Sequence, residues 1–419
     1  MTGLKLMSNF NSESLCEGYR KDCLRLFAEI DLDAALYNLS ELKKLIKPKK
    51  TEIMCVIKAN GYGHDDTTLC KVLSEAGVRY FAVSNIDEAV KLRKGGCEGE
   101  ILILGYTHPA YVPKLLEYNI IQTVTGLSHA ESLAAEVDPN ADSMSPLRIH
   151  IKIDTGMGRL GIKLHDFDKA LTEVIAISKL PGLKAEGIFT HLAAADSGVS
   201  DDIDFTAAQT ECFFFLADEC ERAGVKFIHR HCFNSAGGLM HYDPRSTLAR
   251  FGVAIYGLKP DVGMKMPVKL VPVMALRSHI VEIKKLFKGE TVSYGRTFTA
   301  PSDMKIAVVS VGYADGYPRA LSSYGNNPNG FMLIHGKPAN ILGRVCMDQT
   351  VVDVTDIDNA AVGSLVTLIG SDGDCKITAD GLAVMADTIG YEIVCGIGLR
   401  VPRLIYKGGK LIKVIDYYS

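Results

Sequence analysis

Three features that would point to other classes of protein are missing from this sequence of 419 residues. The formal net charge is only −3, which argues against a protein that binds nucleic acid or another polyanion. No apolar run approaches the roughly 20 residues that span a bilayer, and the first two dozen residues lack the apolar centre of a secretory signal. We therefore expect neither nucleic-acid nor membrane partners, and we interpret residues 1–24 as an N-terminal tail.

The chain also has no CxxC pair, although it contains 11 cysteines. These cysteines are scattered, and several of them stand inside apolar runs. Disulfide frameworks belong to short secreted chains with an even number of cysteines. We therefore expect reduced cysteines, a cytoplasmic location and no metal centre.

A regular alternation of apolar runs and amphipathic stretches begins at residue 51. The apolar runs cover 51–58, 78–84, 100–106, 120–125, 147–155, 183–192, 226–235 and 250–257. The clearest amphipathic stretches lie at 66–76, 86–94, 108–118, 165–179 and 206–223. Such alternation is typical of parallel strands connected by helices. Eight repeats over about 250 residues predict an α/β fold, a closed (β/α)8 TIM barrel at 25–265, although an open doubly wound sheet fits the same count.

The pattern changes after Pro260. Strand-like segments follow at 273–287, 291–298, 304–313, 331–344, 345–355 and 364–370. The only clear helical pattern is at 378–388, where Thr378 is a suitable N-cap, and 391–417 again has strand character. These features predict a mostly-β C-terminal domain at 266–419. The apolar run at 27–31 does not by itself show which domain it joins.

Lys58 stands where the first barrel strand should end, within the segment MCVIKANGYGH at 54–64. An apolar surrounding removes water from an ammonium group and lowers its pKa, which favours the nucleophilic amine. That amine is what a Schiff base with an aldehyde cofactor requires. The alternative is a lysine whose stem is covered while its ammonium reaches solvent.

The carboxyl ends of the strands form the working face of a TIM barrel. The polar residues at predicted strand ends are Lys58, His191, Asn234, Ser235 and Arg250. The loops after the seventh and eighth strands often bind phosphate, and the segment NSAGG at 234–238 offers a hydroxyl group, small residues and a possible helix N-terminus. A lysine and a phosphate site on one face suggest pyridoxal 5'-phosphate as the cofactor.

The sequence resembles the alanine racemase family at eight places in order. The segment VIKANGYGH at 56–64 is similar to the cofactor-binding motif of that family. The other matches are KIDTGMGRLG at 152–161, TH at 190–191, NS at 234–235, RFGV at 250–253, VSYGR at 292–296, GYADG at 312–316 and CMD at 346–348. The resemblance covers roughly residues 25–419 and implies a pyridoxal-phosphate barrel followed by a β domain.

The resemblance implies two bases on opposite faces of the substrate Cα. Lys58 would carry the cofactor and act on one face, and Tyr294 of a partner subunit would act on the other. A phenol, with an ordinary pKa of about 10, needs positively charged or hydrogen-bonding neighbours to act as a base. His191 and Arg159 match the family residues that supply them. Without the resemblance, Tyr294 would be interpreted as a barrel-facing or interface tyrosine, because tyrosines are often half-buried.

Arg250 would face the pyridine nitrogen of the cofactor. Arginine does not give up its proton, so the ring nitrogen stays largely unprotonated and the ring is a weaker electron sink. Reprotonation at Cα is then favoured over transamination, whereas decarboxylases of this architecture are expected to place a carboxylate here. The alternative is a strand arginine in a salt bridge.

The remaining site residues acquire their roles only through the resemblance. With Lys58, the residues that would bind the cofactor are Tyr62, Leu104, His191, Asn234, Ser235, Arg250, Gly252 and Val253. Arg159 and Met347 would receive the substrate carboxylate, with Met347 reaching across the dimer. Lys152 resembles a lysine that is carbamylated and orients Arg159, and the alternative is a plain Lys–Asp pair.

Three positions of the β domain have less specific interpretations. Tyr313 resembles a residue that lines the entrance, and packing is the competing role. Asp348 would orient its neighbours or serve as a turn aspartate. Leu399 is a departure, because the family usually has a tyrosine there that contacts the cofactor phosphate and bounds the substrate pocket. We therefore expect weaker cofactor retention and a roomier pocket, as a serine-preferring or broad-specificity racemase would have.

The resemblance implies an isomerase that interconverts L- and D-alanine in a homodimer with shared active sites. Such an enzyme would supply D-alanine for peptidoglycan precursors. A pyridoxal-phosphate decarboxylase of similar fold is disfavoured by Arg250 and by the lack of a long glycine-rich phosphate loop. A non-catalytic pyridoxal-phosphate carrier would need neither the β domain nor Tyr294.

Overall fold

The computed structural model describes residues 21–46, 51–137, 146–324 and 330–417. The chain divides into two compact units, Leu36–Leu270 and the combination of Met1–Ala35 with Val271–Ser419. We name them the barrel unit and the β unit and describe each by itself. Of the predicted tail at 1–24, residues 1–20 lie outside the described residues, and Lys21–Cys23 forms a 3-10 turn.

The elements of the described residues are numbered in chain order. The strands are β1 (Leu26–Asp31), β2 (Glu52–Val56), β3 (Tyr80–Val83), β4 (Glu100–Ile103), β5 (Ile121–Val124), β6 (Leu147–Asp154), β7 (Ile162–Lys163), β8 (Leu183–Phe189), β9 (His229–His231), β10 (Leu248–Phe251), β11 (Met274–Leu286), β12 (Thr291–Val292), β13 (Phe298–Thr299), β14 (Met304–Val309), β15 (Phe331–Ile334), β16 (Lys337–Asn340), β17 (Thr350–Asp353), β18 (Leu365–Asp372), β19 (Cys375–Ile377), β20 (Arg403–Lys407) and β21 (Lys410–Ile415). The α-helices are α1 (Leu32–Ile46), α2 (Asp66–Glu75), α3 (Ile86–Lys94), α4 (Val112–Glu117), α5 (Leu127–Ala135), α6 (Phe167–Ser178), α7 (Ser200–Arg222), α8 (Ser235–Met240), α9 (Ala379–Met385) and α10 (Gly390–Gly396). Further 3-10 turns lie at Pro109–Tyr111, Val253–Tyr256, Tyr294–Arg296, Tyr313–Asp315 and Arg319–Leu321.

In the described part of the barrel unit, eight parallel strands pair in the order β10-β2-β3-β4-β5-β6-β8-β9. Two backbone hydrogen bonds connect the ends of this order, from Thr247 N to Arg230 O at 2.8 Å and from Arg250 N to Phe233 O at 3.1 Å. The strands are mostly apolar and buried, as is typical of a parallel sheet covered by helices. The predicted (β/α)8 barrel is confirmed.

The helices of the barrel unit follow its strands, and polar side chains cap several of them. Asp65 accepts from Thr68 N and Asn85 accepts from Glu88 N, both at 3.0 Å, so α2 and α3 begin where the pattern predicts. Helices α6 and α7 confirm the predictions at 165–179 and 206–223, although α7 begins earlier. The alternation does not reveal α5, because Gly126 precedes it and no side chain caps its first turn.

The β unit is built around β11, a strand of 13 residues that pairs with β1, β14 and β18. The main sheet has the order β16-β15-β18-β11-β1-β20-β21, with β17 joined through β14 and β19 joined to β18. A small apolar core includes the β12–β13 hairpin, and its members are Leu286, Val292, Phe298, Ala300, Ile306 and Leu342. The predicted mostly-β domain is confirmed.

Strand β1 belongs to the β unit, so the predicted barrel boundary at residue 25 is wrong. It pairs antiparallel with β11, with Leu26 opposite Ser278, and parallel with β20, with Ala28 opposite Arg403. The barrel unit extends instead over Leu36–Leu270. A strand pattern shows which faces are buried but not which strands are neighbours, so the sequence alone could not assign this strand.

Three predicted strands are wrong in part. Within 391–417, Gly390–Gly396 forms α10 before β20 begins. The run at 250–257 changes from β10 to a 3-10 turn after Gly252, and the run at 291–298 is interrupted by the turn Tyr294–Arg296. Glycine allows backbone turns within apolar runs that periodicity does not show.

No helix among the described residues has the length and apolar character that crossing a membrane requires. The ten cysteines in the described ranges are free thiols. No cluster of His, Cys, Asp or Glu in these same ranges is arranged to hold a metal ion.

Candidate active site

Lys58 follows β2 and lies half-buried at the carboxyl edge of the barrel. Beyond it the backbone turns in the left-handed sense, with φ between 52° and 61° at residues 59–62. Gly61 N donates to Ile57 O at 3.0 Å and helps to close this turn. Residues with a Cβ cost roughly 1–2 kcal/mol each in this conformation, and three of these four carry one. Strain of this kind concentrates at functional sites, which supports the predicted role of Lys58.

A cradle of small groups lies next to this turn, at the predicted phosphate site. Gly252 N donates to Ser235 Oγ at 3.0 Å, and a Cβ on residue 252 would lie 2.6 Å from Tyr62 Oη. Asn234 caps helix α8, and a 3-10 turn begins at Val253. Only glycine at 252 allows the buried Tyr62 and Ser235 hydroxyls to converge with backbone amides. The cradle therefore has the shape and the donors that a phosphate group requires.

Arg250 is buried inside the barrel and has no ion pair with any described residue. Its Nη1 donates to His231 Nδ1 at 2.8 Å, and its Nη2 donates to Thr190 O at 2.8 Å and to Cys232 O at 3.1 Å. Burial lowers the pKa of Arg250 from 12.5 to about 10, so the guanidinium keeps its charge at neutral pH. The salt-bridge alternative finds no support, and the group remains a suitable donor to an unprotonated pyridine nitrogen.

Two buried histidines continue from Arg250 into the barrel, and sequence reasoning missed both. His231 Nε2 lies 3.0 Å from His150 Nδ1. Burial, followed by nearby basic groups, holds the pKa of both imidazoles well below 6.5, so they are neutral at pH 7. A histidine inside an apolar strand has no motif around it, and the only available signal was its place on a buried run.

His191 lies just beyond β8, with Nδ1 3.5 Å from Arg250 Nη2. Burial, reinforced by the charges of Arg250 and Arg159, holds the pKa of His191 well below 6.5. A neutral imidazole can assist a phenolate as a hydrogen-bond donor, but it does not bring a positive charge. Of the two kinds of support that a tyrosine base can use, a positive charge or a hydrogen bond, His191 can therefore supply the hydrogen bond.

Lys152 is buried on β6 and does not form the plain Lys–Asp pair considered above. Its Nζ donates to Ile153 O at 2.6 Å, whereas Asp154 accepts from two backbone N–H groups of its own loop. Burial, with the charge of Arg250, lowers the pKa of Lys152 to about 7, so much of the amine is neutral at pH 7. Arg159 is exposed on the loop between β6 and β7.

All of the predicted barrel residues lie at or just beyond strand ends of one barrel edge. Leu104 is one of them, because it follows β4 and its N donates to Val83 O at 2.9 Å. The carboxyl ends of parallel strands share an edge, so the fold brings the amine, the phosphate cradle and the buried cation to one side of the barrel. This arrangement can hold a phosphorylated aldehyde and move a proton.

Tyr294 lies in the β unit on a second left-handed turn. The φ angle is 67° at Ser293, 75° at Gly295 and 53° at Arg296. Ser293 Oγ donates to Arg344 O at 2.7 Å, which connects the turn to a neighbouring loop. Tyr294 is 71% exposed within its own chain. The Tyr294 side chain is therefore not half-buried within one chain.

Tyr313 and Met347 are neighbours in the β unit through backbone contacts. Tyr313 N donates to Cys346 O and Ala314 N donates to Met347 O, both at 3.0 Å. The side chains of Tyr313 and Met347 are exposed. The loop pair thus presents two predicted substrate-contacting residues side by side.

Asp348 pairs with Arg400 Nη2 at 2.8 Å, which is consistent with an orienting role. The buried Asp315 also binds Arg400, with Nε at 3.4 Å, and forms a second ion pair with Arg25. Asp315 further accepts from Gly312 N at 3.0 Å, so it stabilises the segment that carries the 3-10 turn. Sequence reasoning quoted Asp315 only as part of a motif, although a single acid among small residues was a usable signal.

Two family models match the chain. Their descriptions are alanine racemase N-terminal domain, over residues 30–260, and alanine racemase C-terminal domain, over residues 273–405. An alanine racemase of Desulfosudis oleivorans is 41% identical over 389 residues, which are 91% of this chain and 97% of that protein. Alanine racemase 1 of Clostridium acetobutylicum is 38% identical over 393 residues, which are 94% of this chain and 98% of that protein.

Solved structures give the same result for the fold. The alanine racemase of Clostridium difficile 630 superposes with a TM-score of 0.87 at 33% identity, covering 95% of this chain and all of that chain. The alanine racemase of Bacillus anthracis with bound L-Ala-P superposes with a TM-score of 0.85 at 34% identity, covering 94% of this chain and 98% of that chain.

Proposed function

The chain belongs to the alanine racemase family, and we propose that it is an isomerase that interconverts L- and D-alanine by a two-base mechanism. The observation that carries the mechanism is the position of Lys58 on a strained turn, at the same barrel edge as Arg250, a buried cation without an acidic partner in the described chain. A decarboxylase is less well supported, because such an enzyme is expected to have a carboxylate at the position where this chain has Arg250. A carrier would not need the second domain that matches the family.

The barrel residues fit pyridoxal 5'-phosphate. Lys58 Nζ would bind the aldehyde carbon, the cradle of Tyr62, Ser235 and Gly252 would bind the phosphate, and Arg250 would face the ring nitrogen. The other predicted cofactor contacts are Leu104, His191, Asn234 and Val253. Pyridoxal phosphate, when bound, withdraws electrons from the substrate and makes its Cα proton acidic.

Two protein groups would then move the proton. Lys58 Nζ removes it from or returns it to one face of Cα, and Tyr294 Oη of the partner subunit does so on the opposite face. Removal on one face and return on the other inverts the configuration. The neutral His191 supports Tyr294 by donating a hydrogen bond, and Arg250 limits the electron withdrawal that would favour transamination.

Arg159 and Met347 of the partner subunit would receive the substrate carboxylate. Lys152 would support Arg159 as a carbamate, which forms when carbon dioxide adds to the neutral amine and one proton leaves. The pKa of about 7 for Lys152 favours this reaction, because only the unprotonated amine is nucleophilic. We expect a carbamate resonance in a carbon-13 NMR spectrum with labelled bicarbonate, and its persistence in Lys152→Met would contradict this assignment.

A homodimer would complete each site with residues of the β unit. Tyr294, Tyr313 and Met347 are exposed in one chain, as expected for side chains that a second copy uses. Asp348 would keep this region oriented through Arg400. The free thiols are consistent with a cytoplasmic enzyme that supplies D-alanine for peptidoglycan precursors.

Incubation of the purified protein with L-alanine in deuterated water tests the reaction. We expect D-alanine that carries deuterium at Cα, because the returned proton comes from solvent. Lys58→Ala serves as the matched control and should give none. Release of carbon dioxide would favour the decarboxylase instead, and the absence of both products would refute the proposal.

A further inference from the structure

We propose that Glu88 and Lys91 of helix α3 are positioning residues that hold the Lys58 turn in its working geometry. The inference rests on the proposed role of Lys58 and deepens it. Neither residue lies in a motif that pointed to the family.

Glu88 uses both carboxylate oxygens to bind backbone amides at the barrel edge. Oε1 accepts from Ala59 N at 2.8 Å, and Oε2 accepts from Ser84 N at 2.7 Å. The N–H of Ala59 belongs to the peptide plane that joins it to Lys58, and Ser84 follows β3, the strand next to β2. Charge-assisted hydrogen bonds of this length are strong. Glu88 therefore orients that peptide plane relative to the barrel, and with it the direction of the Lys58 side chain.

Lys91 contacts the turn at its next residue and also the helix that follows. Its Nζ donates to Asn60 Oδ1 at 2.8 Å and pairs with Asp66 Oδ1 at 2.6 Å. An ammonium group has three donors, so it can bridge two oxygens at once. The Asp66 side chain is only 1% exposed, which makes it a firm anchor. Lys91 thus connects the turn to the first residue of α2.

The turn needs an outside restraint because its own conformation is unfavourable. Left-handed backbone at residues with a Cβ persists only where the surroundings over-determine it. Glu88 and Lys91 are three positions apart and therefore lie on one face of α3. That helix is itself held at its start, where Asn85 Oδ1 accepts from Glu88 N at 3.0 Å. One capped helix presents both restraining groups to the strained segment.

The test compares Glu88→Gln and Lys91→Met with two controls on the same helix, Asp87→Asn and Lys94→Met. Glutamine keeps the size of Glu88 but replaces one accepting oxygen with a donor, and methionine keeps most of the Lys91 stem. Asp87 and Lys94 are exposed, and Asp87 has only a long ion pair with Lys114, at 3.7 Å. The full-length, cofactor-loaded enzyme is used throughout. Three quantities are measured: kcat and KM for alanine, hydrogen exchange of the amides at 59–65, and the thermal midpoint.

For Glu88→Gln we expect kcat to fall about ten-fold or more while KM changes about two-fold or less. Exchange at 59–65 should accelerate by about ten-fold, because glutamine offers one neutral acceptor in place of the two charged oxygens that bind Ala59 N and Ser84 N. Lys91→Met should show a smaller effect of about three-fold on both, since its ammonium is partly exposed. The controls should match the unmodified enzyme, and the loss of kcat in Glu88→Gln and Lys91→Met should exceed what any change in their thermal midpoints accounts for.

Unchanged exchange at 59–65 together with unchanged kcat in both variants would overturn the inference. A loss of kcat that only follows the thermal midpoint, in the controls as well, would assign the residues a general structural role and would also overturn it. If Glu88→Gln does not fold, Lys91→Met still tests the inference, because the Lys91 side chain is 46% exposed and its replacement is easier to accommodate. The exchange measurement does not need turnover, so accelerated exchange in a chain that does not racemise alanine would support the restraint and reject only the proposed function.

Discussion

The Lys58 turn and the Tyr294 turn share an unusual left-handed backbone but have opposite surroundings. The Lys58 turn is half-buried, and Glu88 and Lys91 of its own unit bind its first two residues. Tyr294 is 71% exposed, and its turn is tied to its own unit through Ser293. The Lys58 turn is restrained by side chains of its own chain, whereas the Tyr294 turn presents a side chain that its own chain leaves exposed.

The two units also differ in whether their buried ionisable side chains have ion-pair partners. In the barrel unit, Arg250 and Lys152 are buried without an ion pair in the described chain. In the β unit, the buried Asp315 is paired with both Arg25 and Arg400. Burial without an ion pair is costly for a charged arginine and lowers the pKa of a lysine, and both effects are typical of ligand-binding sites. This difference agrees with the proposal that the barrel unit binds the cofactor.

The largest expected effects come from replacing the two proposed bases, Lys58 and Tyr294, one on each turn. Lys58→Ala should abolish both racemisation and cofactor retention, because it removes the group that would bind the cofactor. Tyr294→Phe should lower kcat by about 10³-fold and leave the cofactor content unchanged, because only one proton-transfer group is lost. Cofactor absorbance and a chiral assay measure the two effects, with the exposed Tyr324→Phe as a control. Equal loss of cofactor in both variants would refute the division of roles.

Mixing the two inactive variants tests whether Lys58 acts in its own subunit while Tyr294 acts in the site of the partner subunit. If subunits exchange, hybrids of Lys58→Ala with Tyr294→Phe contain one site with both native bases. About half of the dimers are hybrids after random exchange, so roughly a quarter of the native activity should return. Activity is assayed before and after subunit exchange. No recovery, with exchange verified by mass spectrometry, would show that each site is built within one chain.

Acid should weaken the barrel unit more than the β unit. The pKa values of His150, His191 and His231 are held well below 6.5, chiefly by burial, so below pH 6.5 the unfolded chain binds more protons than the folded chain. This contribution to stability is present above pH 6.5 and is lost as the pH falls, by up to about 1.4 kcal/mol per histidine per pH unit. His150 and His231 are almost completely buried, whereas the described histidines of the β unit, His279 and His335, are not buried.

Hydrogen exchange at pH 7.5 and pH 5.5, corrected for intrinsic rates, measures this effect in each unit. We expect barrel amides to lose protection and amides of β11 and β18 to change little. Equal loss in both units would contradict the prediction. His231→Gln serves as a matched variant, because it removes one buried imidazole and should reduce the acid sensitivity.

The smallest expected effect comes from Leu399, at the proposed substrate pocket. Leu399 is exposed and offers no hydroxyl group. Leu399→Tyr should slow cofactor release and raise the preference for alanine over serine in kcat/KM by about three- to ten-fold. Leu399→Phe adds the ring without the hydroxyl group and separates the two effects. A strong alanine preference in the unmodified enzyme, unaltered by either change, would reject the roomier pocket.

Local sequence was sufficient for several features of this protein. Parallel strands buried on both faces leave continuous apolar runs, so the alternating strands and helices were visible from periodicity, although closure of the barrel was not. Thr378 was recognisable as an N-cap because capping depends on residues only three positions apart. The place of Lys58 after an apolar strand made it a candidate, but its proposed role came from the resemblance to the family.

Only the tertiary structure decided the features that depend on distant partners and burial. The neighbours of β1 come from the C-terminal part of the chain, and Glu88 contacts Ala59 only because helix α3 lies next to the Lys58 turn in the fold. The pKa of about 7 at Lys152 arises from exclusion of water by the whole barrel. Sequence by itself determined which residues stand at strand ends. Folding determined which of them lose water, which find a partner and which remain exposed, because these properties depend on three-dimensional distance and not on sequence separation.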